Sequence, residues 1–319
     1  MYYLGIDLGG TNIVAGVVDS NYKIISKSSC KTAVPRPESE ICKDMSNLCF
    51  NALEKAGLSI NDIEFIGIGA PGSVNRNTGI VEFSANLYFH NWKIAETMSN
   101  LTGKPVEIEN DANAAAFGEY KAGAAKGYQS AIVMTLGTGI GSGIIIDGKI
   151  YTGSNFNGAE IGHMVIVHNG IECACGRHGC FERYASASGL INLTKEALLS
   201  SSTKESLMWK SIGGNIEKVS GLTPFEAMKS GEELAKSVVD KYISYLACGI
   251  TNVINIFQPD IICIGGGVSK QGDFLLKPLT KIVEKERYSK HAKKQTKICT
   301  ANLGNDAGII GAAILNKAN

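Results

Sequence analysis

The sequence predicts an α/β protein of two domains built to a related plan, and three observations carry that expectation. The chain has 319 residues, and a single hydrophobic core stops growing near roughly 250–300 residues. Apolar runs of strand character alternate with helical stretches, the pattern of layered α/β folds. Two distant segments also echo each other. Asp7-Leu-Gly-Gly-Thr-Asn-Ile-Val-Ala-Gly-Val-Val-Asp19 and Thr135-Leu-Gly-Thr-Gly-Ile-Gly-Ser-Gly-Ile-Ile-Ile-Asp147 each follow an apolar run, turn through Gly and Thr, and close a second apolar run on Asp. Each unit reads as a β-hairpin.

The remaining elements follow in order. Ile63–Gly69 and Pro105–Glu109 read as short strands, and Ala112–Ala122 as a helix apart from Gly118. Thr223-Pro224-Phe225-Glu226 offers an N-cap, a proline at the first helical position and a capping-box acid. A long helix broken near Ser230-Gly231 runs to about Phe257, Pro259 ends it, and Asp260–Gly265 is a buried strand. Ser200–Gly221 is polar and rich in Ser, Gly and Lys, and reads as a loop region.

Composition narrows the function classes. With 44% hydrophobic and 19% charged residues the chain is an ordinary globular protein. A net charge of +1 argues against a broad field for nucleic acid or anionic lipid. The densest basic run, Lys290, Lys293, Lys294 and Lys297, reads as a solvated face. The opening Met1–Asp7 has no basic n-region, and no apolar run approaches the ~20 residues of a membrane span. Nine cysteines without an export signal point to a reducing cytoplasm. Cys30, Cys42, Cys49, Cys248, Cys263 and Cys299 read as small buried hydrophobes.

The other three cysteines form a pattern. His163, Cys173, Cys175 and Cys180 lie between Glu160 and Glu182, and four N/S donors complete a closed, structural zinc site. Gly176 and Gly179 supply the tight turns that a chain wrapped on a metal needs. With the four donors complete, His168 and His178 read as solvent-facing, and His90 and His291 as surface residues.

Four segments are rich in glycine: Gly9-Gly10-Thr11-Asn12, Gly137-Thr138-Gly139, Gly265-Gly266-Gly267 and Gly304-Asn305-Asp306-Ala307-Gly308. Successive backbone N–H groups can cradle phosphate, although one such turn alone reads equally as a tight hairpin. There is no Walker loop. A strand rather than a helix follows Gly9-Gly10, which argues against a dinucleotide fold. Asp111 stands where a strand meets a helix. It reads either as an N-cap or as a general base at a strand end, where open α/β sheets bind ligands, with the Asn110 amide beside it.

With these motifs the chain resembles the ROK family of bacterial sugar kinases, within the actin-like, hexokinase-like ATPase superfamily, and most of all its glucokinases. The resemblance rests on D-L-G-G-T-N (7–12), E-N-D-A-N-A-A-A (109–116), L-G-T-G-I-G-S-G (136–143), G-A-E-I-G-H (158–163), C-A-C-G-R-H-G-C-F-E (173–182) and I-G-G-G-V-S (264–269). It implies two actin-like, ribonuclease H-like α/β domains flanking a cleft. The smaller would span 1–112 with a C-terminal helix at about 303–319, and the larger 113–302 with a zinc-stapled loop at 163–180.

The activity implied is ATP-dependent phosphorylation of a hexose, glucose foremost. N-acetylmannosamine, N-acetylglucosamine, fructose or another hexose are the alternative substrates, polyphosphate an alternative donor, and a sugar-sensing regulator without a DNA-binding domain the reading from a different class. By resemblance Asp111 is the catalytic base. Asn110, Glu160, His163 and Glu182 bond the sugar, and Gly72 and Asn86 border it. Gly9, Gly10, Thr11 and Asn12, with Gly137, Thr138 and Gly139, are phosphate loops, and Gly265, Gly266 and Gly267 the adenosine-side loop. Asp7 orients Mg2+ through water, while His163, Cys173, Cys175 and Cys180 hold Zn2+. A homodimer in the cytoplasm, without nucleic acid or membrane, is also implied. One departure bears on the sugar: Phe83-Ser84-Ala85-Asn86-Leu87 lacks the proline that many members carry before the Asn, and Tyr88–Trp92 is bulky.

Overall fold

A computed structural model describes residues 1–201 and 205–318. Residues 202–204 of the polar stretch and residue 319 of the expected C-terminal helix lie outside the described residues. The chain opens with strands β1 (Tyr2–Leu8), β2 (Asn12–Asp19) and β3 (Ile24–Lys31), then helix α1 (Glu38–Lys55). Strands β4 (Ile63–Ala70), β5 (Ser73–Asn75), β6 (Ile80–Ser84) and β7 (Phe89–Trp92) precede α2 (Ile94–Thr102), β8 (Val106–Asn110) and α3 (Asp111–Ala122). Then come β9 (Ala131–Leu136), β10 (Ile140–Ile146) and β11 (Lys149–Tyr151). Helices α4 (Glu182–Ala185), α5 (Ala187–Ser200), α6 (Leu207–Ser211), α7 (Thr223–Lys229) and α8 (Glu233–Phe257) follow. The chain closes with β12 (Ile261–Gly266), α9 (Asp273–Glu286), β13 (Lys297–Thr300) and α10 (Asp306–Ala313).

Two five-stranded sheets share one strand order. The first runs β3-β2-β1-β4-β8 and the second β11-β10-β9-β12-β13, in each case third-second-first-fourth-fifth. In the first, β1–β2 and β2–β3 are antiparallel while β1–β4 and β4–β8 are parallel. The echo between the two glycine-turn segments is therefore an echo of whole sheets, with each segment supplying the central hairpin. The Gly9-Gly10 turn leads into strand β2, as its apolar run predicts. A third, three-stranded sheet is β5-β6-β7.

The chain forms two compact units. The first holds Met1–Val133, Ser142–Ala159 and Ala301–Asn319, and the second Met134–Gly141 and Glu160–Thr300. Residues 113–133, 142–159 and 301–302 thus sit with the first unit, whereas the sequence reading places them in the larger domain. For α3 the reason is close packing, since its backbone meets that of α10 directly at two glycines. A Cβ on Gly118 would strike the Ala307 carbonyl, and one on Gly311 the Ala114 carbonyl. The first core gathers Leu4, Ile6 and Leu8 of β1, Ile13, Ala15 and Val17 of β2, Ile66 and Ile68 of β4, and Ile41, Met45 and Cys49 of α1. In the second unit α8 buries Val238, Val239, Tyr242, Ile243, Leu246, Ile250, Val253 and Ile254, an apolar stripe at helical spacing.

Two expectations are corrected. Thr223 does not cap α7: Leu222 holds that position and no side chain caps the helix. The Thr223 hydroxyl instead accepts from Ser220 N at 3.0 Å, and the Glu226 carboxylate is drawn outward to Lys229 Nζ at 2.9 Å. The stretch 200–221 is also more than a loop. It contains α6 and a single turn at Ile216–Lys218. Met208, Trp209, Ile212 and Val219 bury with Leu198, Ala227 and Ala235 in a small core of their own. Apolar residues at i, i+1 and i+4 form one helix face within a composition that is polar on average. The break expected near Ser230-Gly231 is present, with α7 ending at Lys229 and α8 starting at Glu233.

Candidate active site

In the first unit, β1 delivers Asp7 and the turn after it carries Gly9–Asn12. Gly9 N donates to Asn12 O at 2.9 Å. Thr32, fully buried beneath, donates its hydroxyl to Gly9 O at 2.6 Å and its N–H to Thr11 O at 2.9 Å. The turn is thus pinned from below while Thr11 and Asn12 stay exposed. Gly10 lies against Asn86, whose Cβ would be 3.5 Å from a Cβ on the glycine. Gly72 has φ +109°, and a side chain there would overlap the Phe83 carbonyl, so only glycine fits.

Strand β8 ends at Asn110 and α3 begins at Asp111. Asn110, not Asp111, is the N-cap: its Oδ1 accepts from Ala112 N at 2.9 Å and Asn113 N at 3.2 Å. Its Nδ2 donates to Gly72 O at 3.2 Å. With the Oδ1 occupied, Asn110 can offer a ligand only a donor. The capping work that the residue type allowed for Asp111 is therefore done by its neighbour, and the Asp111 carboxylate accepts from its own helix's Ala112 N at 2.8 Å.

The carboxylates of this unit are electrostatically loaded. Burial first, and then the charge of Asp111, raises Asp7 from 3.8 to about 6. Burial raises Asp111 as well, against the pull of the Ala112 N–H. Glu109, 1% exposed, accepts from Asn110 N at 2.9 Å and Asn113 Nδ2 at 3.1 Å, with Arg76 Nη1 3.6 Å away. Burial raises its pKa, opposed by those hydrogen bonds and by Arg76. The sequence reading gave Glu109 no role. Its strand alternates Val106, Glu107, Ile108 and Glu109, so nothing in the sequence marks Glu109 apart from Glu107.

In the second unit the four metal donors converge. His163 Nδ1 lies 3.7 Å from Cys173 Sγ, Cys175 Sγ lies 3.6 Å from Cys180 Sγ, and all four donor atoms fall within 4.8 Å of one another. Zinc at about 2.3 Å from sulfur and about 2.0–2.1 Å from nitrogen sets tetrahedral edges of roughly 3.5–3.8 Å, so the donors present fit the ion. The loop is shaped by Cys173 N on Arg177 O at 2.8 Å and Gly176 N on Cys173 O at 2.9 Å. Gly179, at φ +86°, lies where a side chain would overlap the Val167 carbonyl. His168 and His178 are exposed and stand outside the cluster.

Glu182 opens α4 two residues past Cys180. Its Oε1 is 3.1 Å from Cys173 Sγ and 3.7 Å from His163 Nδ1, and its Oε2 accepts from Ile140 N at 3.4 Å. It therefore touches both the metal loop and the end of the Gly137–Gly139 turn. That turn is closed by Gly137 N on Gly139 O at 3.0 Å, and Gly137 O accepts from Ala187 N at 2.9 Å. Exposed Glu160 precedes the helical turn Ile161–His163 and accepts His163 N through its carbonyl at 3.1 Å. Gly265 and Gly266 end β12, and Gly267 starts the turn after it. Gly267 lines a cavity of about 290 Å³ with Ala187, Gly221, Leu222, Val268 and Lys270.

The matches with known proteins decide what this assembly belongs to. Residues 3–319 match the ROK family. The chain belongs to the ROK family. This ROK chain is 36% identical over 320 residues to a glucokinase of Thermotoga maritima, covering 98% of this chain and 96% of that one. It superimposes with a TM-score of 0.82 and 33% identity on the structure of a ROK family glucokinase from Streptomyces griseus in complex with glucose and AMPPNP, over 99% of both chains. It is also 27% identical over 326 residues, 99% of each chain, to an N-acetyl-D-glucosamine kinase of Haemophilus influenzae. The mixed α/β architecture is thus that of ROK sugar kinases.

Proposed function

We propose that this protein transfers the γ-phosphoryl group of ATP to a hexose hydroxyl, with glucose the preferred acceptor and Asp111 the general base. The observation that carries the reading is the division of labour at the start of α3. Asn110 caps the helix, which leaves the Asp111 carboxylate free of that work, with only local backbone N–H partners and a pKa raised by burial. A carboxylate whose pKa is raised is the better proton acceptor for a sugar hydroxyl. Likeness to a glucokinase over nearly the whole chain supports glucose.

Each other residue has a role in this reading. Asn110 donates to a sugar oxygen through its remaining N–H. Gly72 and Asn86 border the ring. Glu160 and Glu182 accept from ring hydroxyls, while His163, with Nδ1 toward the metal cluster, donates to a sugar oxygen through Nε2–H. The Gly9–Asn12 and Gly137–Gly139 turns, closed by the Gly9 and Gly137 N–H groups, face the phosphates, and the cavity beside Gly265–Gly267 takes the adenine. Mg2+ would supply charge neutralisation on the phosphates. Asp7 fits it, since a carboxylate destabilised by burial and by Asp111 gains most from a nearby cation. Zn2+ would fix His163, Cys173, Cys175 and Cys180, and through them the adjoining Glu182. Phosphoryl transfer asks mainly for positioning and electrostatic stabilisation, which is what this set of groups offers.

The test is a panel of glucose, mannose, fructose, N-acetylglucosamine and N-acetylmannosamine with ATP and Mg2+, repeated with polyphosphate. Glucose with ATP should give the highest kcat/KM. Turnover of an N-acetyl sugar without turnover of glucose would replace the acceptor. That second reading draws on the kinase likeness to the Haemophilus enzyme and on the exposed Phe83 and Tyr88 flanking Asn86. In Asp111→Asn, kcat should fall by about 100-fold or more while glucose still binds; unchanged turnover would remove Asp111 from the mechanism.

A further inference from the structure

We propose that Glu119 is a positioning residue for the Asp7–Asp111 pair, an inference that rests on the kinase reading above. Glu119 lies about two turns along α3 from Asp111 and is 1% exposed. Among the described residues its carboxylate bonds only to main-chain N–H groups. Oε2 accepts from Ala124 N at 2.8 Å, and Oε1 accepts from Asn302 N at 3.0 Å and Leu303 N at 2.7 Å. A buried carboxylate is costly unless its lone pairs are matched, and charge-assisted bonds of this kind are about twice as strong as neutral ones. The side chain is therefore a clasp between the end of α3 and the 302–303 turn.

Both ends of the clasp lead to an acid. Backwards, α3 runs to Asn110 and Asp111. Forwards, the 302–303 turn enters α10 at Asp306, and the third residue of that helix, Gly308, abuts Asp7. A Cβ on Gly308 would stand 3.0 Å from Asp7 Cγ. Helix α10 has no slack between these points. Bare backbone meets bare backbone where Gly118 faces Ala307, Gly311 faces Ala114 and Gly5 faces Ile309, and close-packed contacts transmit displacement. Glu119 thus sets the spacing between the helix that carries Asp111 and the helix that presses on Asp7.

Two variants test this. Glu119→Gln keeps the size but turns an N–H2 against an N–H, which costs one or two of the three bonds. Gly123→Ala keeps the charge, but its Cβ would overlap Glu119 Oε2 and push the carboxylate from its seat. Both should lower kcat about 10- to 100-fold, the size of effect expected of a displacement near 1 Å. Glucose KM should stay within about twofold, and the Mg2+ concentration for half-activation should rise. The 13C-carboxyl titrations of Asp7 and Asp111 should move in both variants. A lower Tm with kcat, Mg2+ dependence and both titrations unchanged would make the clasp merely structural and overturn the proposal, as would failure of both variants to fold. A wild-type protein that phosphorylates no hexose would overturn the kinase reading instead, and the carboxyl titrations would still decide the role of Glu119.

Discussion

Asp7 carries a charge that the fold itself opposes. Its pKa rises from 3.8 to about 6 through burial and the neighbouring Asp111. The folded protein therefore holds a proton that the unfolded chain releases, over the window between those two values. Stability from this group is fully present below pH 3.8, declines as pH rises, and is lost above about pH 6. At neutral pH the penalty amounts to about 1–3 kcal/mol, with solvent access to the carboxylate trimming the full value. Asp7→Asn should therefore raise the Tm at pH 7.5 and leave it unchanged at pH 3.5, while abolishing Mg2+-dependent turnover. Thermal melts at the two pH values check the sign, and a lower Tm for the variant at pH 7.5 would contradict it. Mg2+ with a nucleotide should stabilise the wild type more than the variant, because only the wild type keeps the carboxylate that the ion relieves.

At the level of elements, the start of α3 and the metal loop each bind local structure to the site. Asn110→Ala removes two accepted N–H bonds and the link to Gly72 O. A lost cap typically costs about 0.5–2 kcal/mol, so chemical denaturation should show a loss in that range together with a fall in kcat. Cys175→Ser should release zinc, measurable by metal analysis, and lower both Tm and glucose affinity, because His163 and Glu182 lose their anchor. Normal glucose binding by the metal-free variant would separate the loop from the site. These elements were legible in the sequence because their signals are local: hairpin turns, ligand spacing and a strand meeting a helix. The identity of the cap was not, since Asn110 and Asp111 are both good cap residues and only the backbone path chooses between them. Nor was the Glu119 clasp, whose partners at 302–303 lie far along the chain. The 200–221 stretch misled for a different reason: its four buried apolar residues are diluted by polar neighbours, so composition concealed a helix face at 208, 209 and 212. The Thr223 capping box failed because Ser220 and Lys229 compete for the same side chains.

For the molecule as a whole, charge sets what can be recognised at a distance. With 31 Lys and Arg against 30 Asp and Glu, the net charge is +1, and the isoelectric point is about 7.5. No helix of the described residues is long and apolar enough to cross a membrane. The basic run Lys290, Lys293, Lys294 and Lys297 is exposed but is balanced by acids elsewhere. A nearly neutral protein gives a charged ligand little long-range steering. On the proposed reading, binding of an anionic nucleotide rests on short-range contacts with backbone N–H groups, which salt screens weakly. Raising ionic strength from about 0.01 M to 0.1 M shortens the Debye length from about 30 Å to about 10 Å. At saturating Mg2+, kcat/KM for ATP should change by less than about twofold across that range, because little of the attraction acts over such distances. A protein binding through many phosphate contacts would instead lose affinity steeply, with log K falling linearly in log salt. A steep slope for ATP would mean that lysines outside the glycine turns carry much of the nucleotide binding, and would move the search for them to the exposed basic residues of the second unit.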